Sequence, residues 1–343
     1  MRNTFRSFLP LLLSAPLFCQ GEVDLRTTAK KGSSVWLLQE MKMDQTIDMG
    51  GQQMETGQHV IRTVHVMVKD TDDKGLTVEI KLARVQGTMT LPMGMGDQEF
   101  DSAAPAAEED ADADPTGGMM AGMKKSMLAG AGKSFTAKVG PNGKVTELLD
   151  TKDVLADQGG GGMMGGGGIT EANLREITEA AFGALPEKPT APGGKWSSSQ
   201  AEGGGRMPFT SKLEMTLSKV EADSFEIAAA GTVEKPAAPE QEQGKEEEDE
   251  GPASMMKKAK ITNGKIAGTE KISRQDGFVL TSSTVMTMDV DMEMPGMGSM
   301  QMAMKSTKTT KRTTAEAAMP KAAEKVEAPK TGADAAKKEE PKK

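Results

Sequence analysis

From Met286 to Met294 every second residue is apolar, and Thr287, Asp289, Asp291 and Glu293 alternate with them. A breaker cluster follows at Pro295, Gly296, Met297, Gly298 and Ser299, after which Met300, Met302 and Met304 resume the even parity. A helix repeats every 3.6 residues and cannot keep such a set on one side. A strand repeats every two and can. The segment Thr284–Thr310 therefore reads as a β-hairpin with one dry face, and that face is mostly thioether. Setting Met294 opposite Met300 places Met292 opposite Met302 and brings four sulfurs into one patch.

The same period governs the N-terminal part. Val35, Leu37, Met41, Met43, Ile47 and Met49 share odd parity up to Gly50-Gly51, where glycine supplies the positive φ of a primed two-residue turn. Pairing Met49 with Gln52 sets Ile47 against Met54, Met41 against Val60, Leu37 against Val64 and Val35 against Val66. The apolar set then becomes even, as this register demands. Beyond Asp70–Gly75, the residues Leu76, Val78, Ile80 and Leu82 face Val68, Val66 and Val64 in the same way. Further hairpins are predicted for Phe135–Val139 with Val145–Leu149 around Pro141-Asn142-Gly143, and for Leu213–Leu217 with Phe225–Ala229. Ile266 and Ile272 pair with Phe278 and Leu280. Met41-Lys42-Met43-Asp44 and Met286-Thr287-Met288-Asp289 echo one another, a pattern that duplication or Met/Asp-rich composition would both produce.

Two helices interrupt the strands. Ile169–Leu185 carries Ile169, Leu174, Ile177, Ala181 and Leu185 at helical spacing, with Thr170 as N-cap and Pro186 as stop. A weaker helix holds Met119, Met120, Met123, Met127 and Leu128. Four stretches lack the apolar content to offset the entropy of ordering, and are expected to be mobile: Ala103–Gly118, Gly159–Gly168, Pro236–Pro252 and Ala315–Lys343. The chain is thus predicted to be α+β and mainly β. A large twisted antiparallel sheet of about eight to eleven strands, half-barrel-like, carries one or two helices on its apolar face. A two-sheet β-sandwich is the alternative. Residues 22–312 form one domain, interrupted at 103–118, 159–168 and 236–252 and followed by a disordered tail over 313–343.

Residues 1–21 read as a signal peptide: Arg2 and Arg6 precede an apolar run, Phe8–Phe18, too short to span a bilayer. Cleavage after Gly21 is expected. Lipid anchoring at Cys19 is disfavoured because the bulky Phe18 precedes it. No other stretch suits a transmembrane helix. Cys19 is the single cysteine, so thiolate chemistry and disulfides are not expected in the mature chain. Loss of two arginines and no acid takes the net charge from −8 to −10, which disfavours nucleic acid as a partner.

Short motifs add a resemblance. Lys31-Gly32 with Trp36, Met49-Gly50-Gly51-Gln52, Phe100-Asp101-Ser102 and Asn142-Gly143-Lys144-Val145 follow one another along the chain. Leu185-Pro186-Glu187-Lys188-Pro189, Gly194-Lys195-Trp196, Gly264 and Gly277 complete the series. Over most of residues 22–312 the chain resembles a family of uncharacterised exported bacterial proteins of planctomycete type. Ile272 stands where that family would have phenylalanine. The resemblance implies no established activity and transfers no functional residue.

Catalytic constellations are not evident. The two histidines, His59 and His65, share one strand and one parity. Six residues at ~3.3 Å put their Cα atoms about 20 Å apart, too far to act as a pair. His65 would lie opposite Trp36 and His59 opposite Lys42, on the wetter face. Asp289, Asp291 and Glu293 line a polar strand face and fall short of a Ca²⁺ cage. The glycines of Gly159–Gly168 lack the Lys-Ser/Thr ending of a phosphate loop. Methionine leaves two readings open. Thioethers favour Cu(I) and Ag(I), and Met292, Met294, Met300 and Met302 could converge on one ion. Equally, with nine Phe, two Trp and no Tyr among 28 Met, methionine could be the filler of the core. Three functional readings follow: an exported non-enzymatic envelope protein acting as a structural or interaction module, a protein binding an apolar ligand or lipid, and a Cu(I)/Ag(I)-binding protein.

Overall fold

The computed structural model describes residues 21–92, 96–104, 115–155, 169–202, 209–235, 259–294 and 298–318. The N-terminal strands are β1 (Ser34–Met49), β2 (Gln52–Asp72), β3 (Gly75–Thr90), β4 (Asp97–Asp101), β5 (Ser134–Val139) and β6 (Val145–Leu149). The C-terminal strands are β7 (Lys195–Glu202), β8 (Phe209–Val220), β9 (Ser224–Glu234), β10 (Lys260–Ser273), β11 (Val279–Met294) and β12 (Gly298–Thr313). The helices are α1 (Pro115–Leu128), α2 (Lys152–Leu155), α3 (Glu171–Glu179) and α4 (Ala315–Ala318).

All twelve strands belong to one antiparallel sheet in the order β6-β5-β3-β2-β1-β12-β11-β10-β9-β8-β7, with β4 added beside β3. The sheet is open. One sheet, rather than two facing sheets, excludes the sandwich alternative, and it has more strands than expected because β4 and β7 lack a clear apolar alternation. Each half of the chain is a meander of neighbouring strands. The halves join where β1 pairs with β12 from Trp36↔Thr313 to Met49↔Met300.

The predicted β1–β2 register holds pair by pair, including Met49↔Gln52, Met41↔Val60 and Val35↔Val66. Val64↔Leu82, Val66↔Ile80 and Val68↔Val78 follow in β2–β3. Two predicted pairings move. The methionine hairpin has Met292 opposite Met300 and Met294 opposite Gly298, because the strands run closer to the turn than the breaker cluster suggested. Ile272 pairs with Val279, since a bulge at the Lys271/Ile272 step displaces Leu280 from the alternation, and Ile266 pairs with Met286 rather than with Phe278 or Leu280.

Curvature gives the sheet a concave and a convex face. The convex face is polar: Lys42, Asp44, Thr287, Asp291, Lys305 and Lys311 point outward, the reverse of the apolar band that faces lipid in a membrane barrel. The concave face carries the core. Leu37, Val64, Val66, Ile80, Leu82 and Phe135 are almost wholly buried against Leu174, Ile177 and Phe182. A second cluster gathers Phe209, Val233, Met286, Met288, Val290, Met292 and Met302.

Helix α3 is shorter than the periodicity predicts. Thr170 caps it through a reciprocal box with Asn173, but it ends at Glu179 rather than Leu185. The chain turns at Gly183 (φ +74°), where a side chain would also collide with Glu270 and Ile272. The following residues reach both ends of the sheet. Leu185 N–H bonds Asn142 O in the β5–β6 turn, and the Trp196 indole of β7 donates to Ala184 O. Helix α1 begins at Pro115, so the last part of the stretch expected to be mobile is helical. Order also continues past residue 312: Thr313 ends β12, and Ala318 of α4 is buried, its carbonyl accepting from Thr63 Oγ1. The signal peptide with Cys19, residues 105–114, 156–168, 236–258 and 319–343 lie outside the described residues.

Candidate functional site

The cross-strand register builds a row that no single strand reveals. Arg62 of β2 lies opposite Gln39 of β1, Gln39 opposite Thr310 of β12, Thr310 opposite Ser282 of β11, and Ser282 opposite Glu270 of β10. Five polar side chains thus cross the concave face in one line. One row further toward the methionine end, Thr284, Lys308 and Met41 align in the same way. This polar belt separates the aliphatic layer around Leu37 and Val64 from the methionine layer around Met288 and Met302.

Helix α3 lies over the belt and is tied to it. The Lys308 ammonium is 2.8 Å from Glu176 Oε1. Gln39, which is 8% exposed, donates Nε2 to the Ile177 carbonyl at 2.9 Å. That bond completes the helix C-terminus. The Ala180 N–H bonds Glu176 O, the Ala181 N–H bonds Thr178 O, and the Phe182 and Gly183 N–H groups both bond Glu179 O. The Ile177 carbonyl is left for a side chain from the sheet. Beyond the helix, the Ala184 N–H donates to Glu270 Oε2 at 3.3 Å.

Between helix and sheet remains a recess of about 140 Å³. Its apolar wall comprises Met41, Leu213, Met215, Ala229, Ile266 and Met286. Its polar side comprises Arg62, Glu176, Lys308, Glu270, Thr284 and Thr310. The charges here respond to enclosure. Burial alone would push the Glu176 carboxyl up, but the attraction and hydrogen bond of Lys308, with Arg62 beyond, hold it below the ordinary carboxylate value. Glu270 goes the other way: burial pushes its carboxyl up, and the Ala184 N–H and Lys144 offset this only in part. Burial also lowers the Arg62 guanidinium, against an opposing pull from Glu176. It stays a cation, because an arginine starts too high to lose its proton.

The sequence-predicted candidates lie elsewhere. Met292 and Met302 are each 5% exposed within the second core cluster, and Met300 packs against it. The Met302 sulfur accepts from Gln45 Nε2. The strand register sets Met292 against Met300 and Val290 against Met302, so Met292 and Met302 are not directly opposite. Met294 ends β11, and its side chain lies outside the described residues. His65 stacks on Trp36 with ring centroids 4.5 Å apart, and His59 contacts Glu40 at 2.8 Å. Both sit opposite the residues expected, Trp36 and Lys42, on the outer face. Arg62, Gln39, Lys308 and Glu270 were missed, although each leaves a trace: a charged or amide residue at the parity otherwise reserved for the core.

The fold defines a class of architecture, an open and strongly curved antiparallel sheet with a helix over its hollow. Comparison with known sequences adds one match: residues 167–279, about a third of the chain, match a family of unknown function, DUF6263. That span runs from the start of α3 to the start of β11. No curated protein matches the chain. Among solved structures, lipovitellin, in a study of its lipid–protein interactions, gives a TM-score of 0.44 at 8% identity, over 83% of this chain and 25% of its own. The chain thus spans about a quarter of lipovitellin's length. An outer membrane channel from Pseudomonas putida gives 0.25 at 6% identity, over 84% and 98% of the two chains. A DUF1329 family protein from Desulfovibrio piger gives 0.14 at 6%, over 80% and 84%. Scores this low carry no argument about function. Among the described residues no helix is long and apolar enough to cross a membrane.

Proposed function

We propose that this is an exported, non-enzymatic protein of the bacterial envelope that binds a small apolar or amphiphilic molecule in the recess beneath α3. The observation that carries the reading is the two-sided lining. Met41, Leu213, Met215, Ala229, Ile266 and Met286 contribute apolar surface to a recess that a short polar belt also lines. Ligand sites commonly combine an apolar lining with a few placed polar groups that fix orientation. Methionine suits such a wall, because its unbranched thioether adapts to irregular shapes. The belt carboxylates fit binding better than turnover: Glu176 is held by Lys308, and Glu270 accepts the Ala184 N–H behind the helix. The polar convex face supports a protein bathed in water rather than a lipid-facing barrel.

The test is a titration of the mature protein with the neutral fluorophore N-phenyl-1-naphthylamine. Saturable binding to the native protein is expected, together with loss of binding in Ala229→Trp, whose indole would fill the recess. An unsaturable signal, or equal binding by the Trp variant, would refute the assignment. Export is checked separately by N-terminal sequencing of the secreted chain, which should begin at Glu22.

A further inference from the structure

We propose, building on the ligand-binding reading above, that Arg62 makes the recess selective for an amphiphile with an anionic head group, its apolar chain directed toward the methionine wall. The argument begins with the company Arg62 keeps. It stands on the core parity of β2 between Val60 and Val64, which are 1% and 0% exposed. Arg62 itself is only half-buried, so its five N–H donors open onto the recess and its water rather than onto a dry core.

The belt does not supply that acceptor. Among the described residues no hydrogen bond or ion pair within bonding distance engages the Arg62 guanidinium. Gln39, directly opposite, spends its amide on Ile177 O. Glu176 attracts Arg62 from further off, but its carboxylate is bonded to Lys308. Of the other acids in the lining, Glu40 is engaged by Lys42 and His59, and Glu270 stands at the far end of the row, four strands away, its carboxyl raised by burial. At the rim, Lys144 and Glu179 neutralise each other at 3.3 Å. With Lys308 paired to Glu176, Arg62 is left as the cation among the described lining residues that bonds no acid, balanced only at a distance by Glu270.

A carboxylate matches the guanidinium fork with two parallel hydrogen bonds, and a phosphate monoester or sulfate can do the same. Small free anions would satisfy the charge but leave the apolar wall wet. Neutral amphiphiles would cover the wall but leave the guanidinium without an acceptor. A molecule with both parts answers both requirements, which is why a chain-bearing anion is favoured over either alone.

The experiment is displacement of bound N-phenyl-1-naphthylamine by dodecanoate, dodecyl phosphate, dodecanol, acetate and inorganic phosphate. It compares the native protein with Arg62→Gln and Arg62→Lys. In the native protein the two long-chain anions should displace the probe roughly tenfold better than dodecanol, since charge-assisted pairs are the stronger hydrogen bonds. Acetate and inorganic phosphate should not displace it. In Arg62→Gln the preference for the long-chain anions over dodecanol should fall to about one, and Arg62→Lys should keep part of it. Equal displacement by dodecanoate and dodecanol in the native protein overturns the inference and leaves the ligand-binding reading standing. The same holds if the preference survives in Arg62→Gln. Failure of the probe itself to bind removes both. Should Arg62→Gln not fold, the native ratio and its partial loss in Arg62→Lys still decide.

Discussion

Replacing Gln39 by leucine tests whether the helix over the hollow is held by the sheet or merely rests on it. The Gln39 amide is buried and donates to a carbonyl at the end of α3 that no helix N–H takes up. Leucine keeps the bulk and removes the donor. The loss comprises the hydrogen bond, about 1 kcal/mol net, and the burial of an unsatisfied carbonyl, about 1–3 kcal/mol. The apolar side chain returns part of this. A net destabilisation of about 1–3 kcal/mol is therefore expected, read from urea midpoints at constant m-value. For a domain of this size it lowers Tm by roughly 2–4 °C per kcal/mol. Gln39→Glu sharpens the test, because a carboxylate facing a carbonyl oxygen repels it. That variant should be less stable than Gln39→Leu at neutral pH and recover on acidification, as the protonated acid can donate again. If Gln39→Leu unfolds within about 0.5 kcal/mol of the native protein, the carbonyl is satisfied by water and the proposed role of the sheet in ending α3 is wrong.

Three further outcomes follow from the same region. Glu270 has a carboxyl raised above its ordinary value of 4.5, so the folded state resists ionising it and stability falls as pH rises through that value. Glu270→Gln, which can still accept from the Ala184 N–H, should therefore be more stable than the native protein at pH 7 and equal to it below about pH 4. A native stability that instead rises more steeply than the variant's from pH 4 to 7 would contradict this. Breaking the Lys308–Glu176 pair by Glu176→Gln or Lys308→Met should cost about 1–2 kcal/mol. That is below the value for a fully buried pair, because the side chains are 31% and 34% exposed. The Glu176→Gln/Lys308→Met double variant should recover most of the loss in a double-mutant cycle, and strict additivity would show that the two do not interact. Finally, changing Met292, Met294, Met300 and Met302 to leucine should cost under ~1.5 kcal/mol at each position. It should leave ligand binding intact, and native protein titrated with Cu(I) against a competing chelator should retain none. Micromolar retention lost in the leucine variant would restore the thioether-metal reading.

Period-two alternation and turn chemistry, both local, already decided a great deal. Gly50-Gly51 and the parity switch across it are enough to set every β1–β2 pair, because a one-residue slip would turn Leu37, Val64 and their neighbours toward water. Thr170 marked the start of α3 for the same reason, since a cap is made of neighbours in sequence, and Asn173 completes the box in the structure. Its end was not legible: Ala181 and Leu185 keep helical spacing, yet the chain breaks at Gly183 to let Glu270 and Ile272 of a distant strand approach. The methionine hairpin was legible as a hairpin but not in register, because a run of breakers leaves the turn length open. The seam between β1 and β12 left no local trace, since partners such as Trp36 and Thr313 stand far apart in the chain and meet only when the two meanders dock edge to edge. On that seam the site depends. Gln39 and Arg62 come from the first hairpin, Thr310, Lys308, Ser282 and Glu270 from the last strands, and only their juxtaposition forms a belt. Each of these residues could be seen in the sequence as a polar group at a core parity. That they share one row, with α3 above and one arginine left over, is a property of tertiary structure, because charge balance is a sum over neighbours in space.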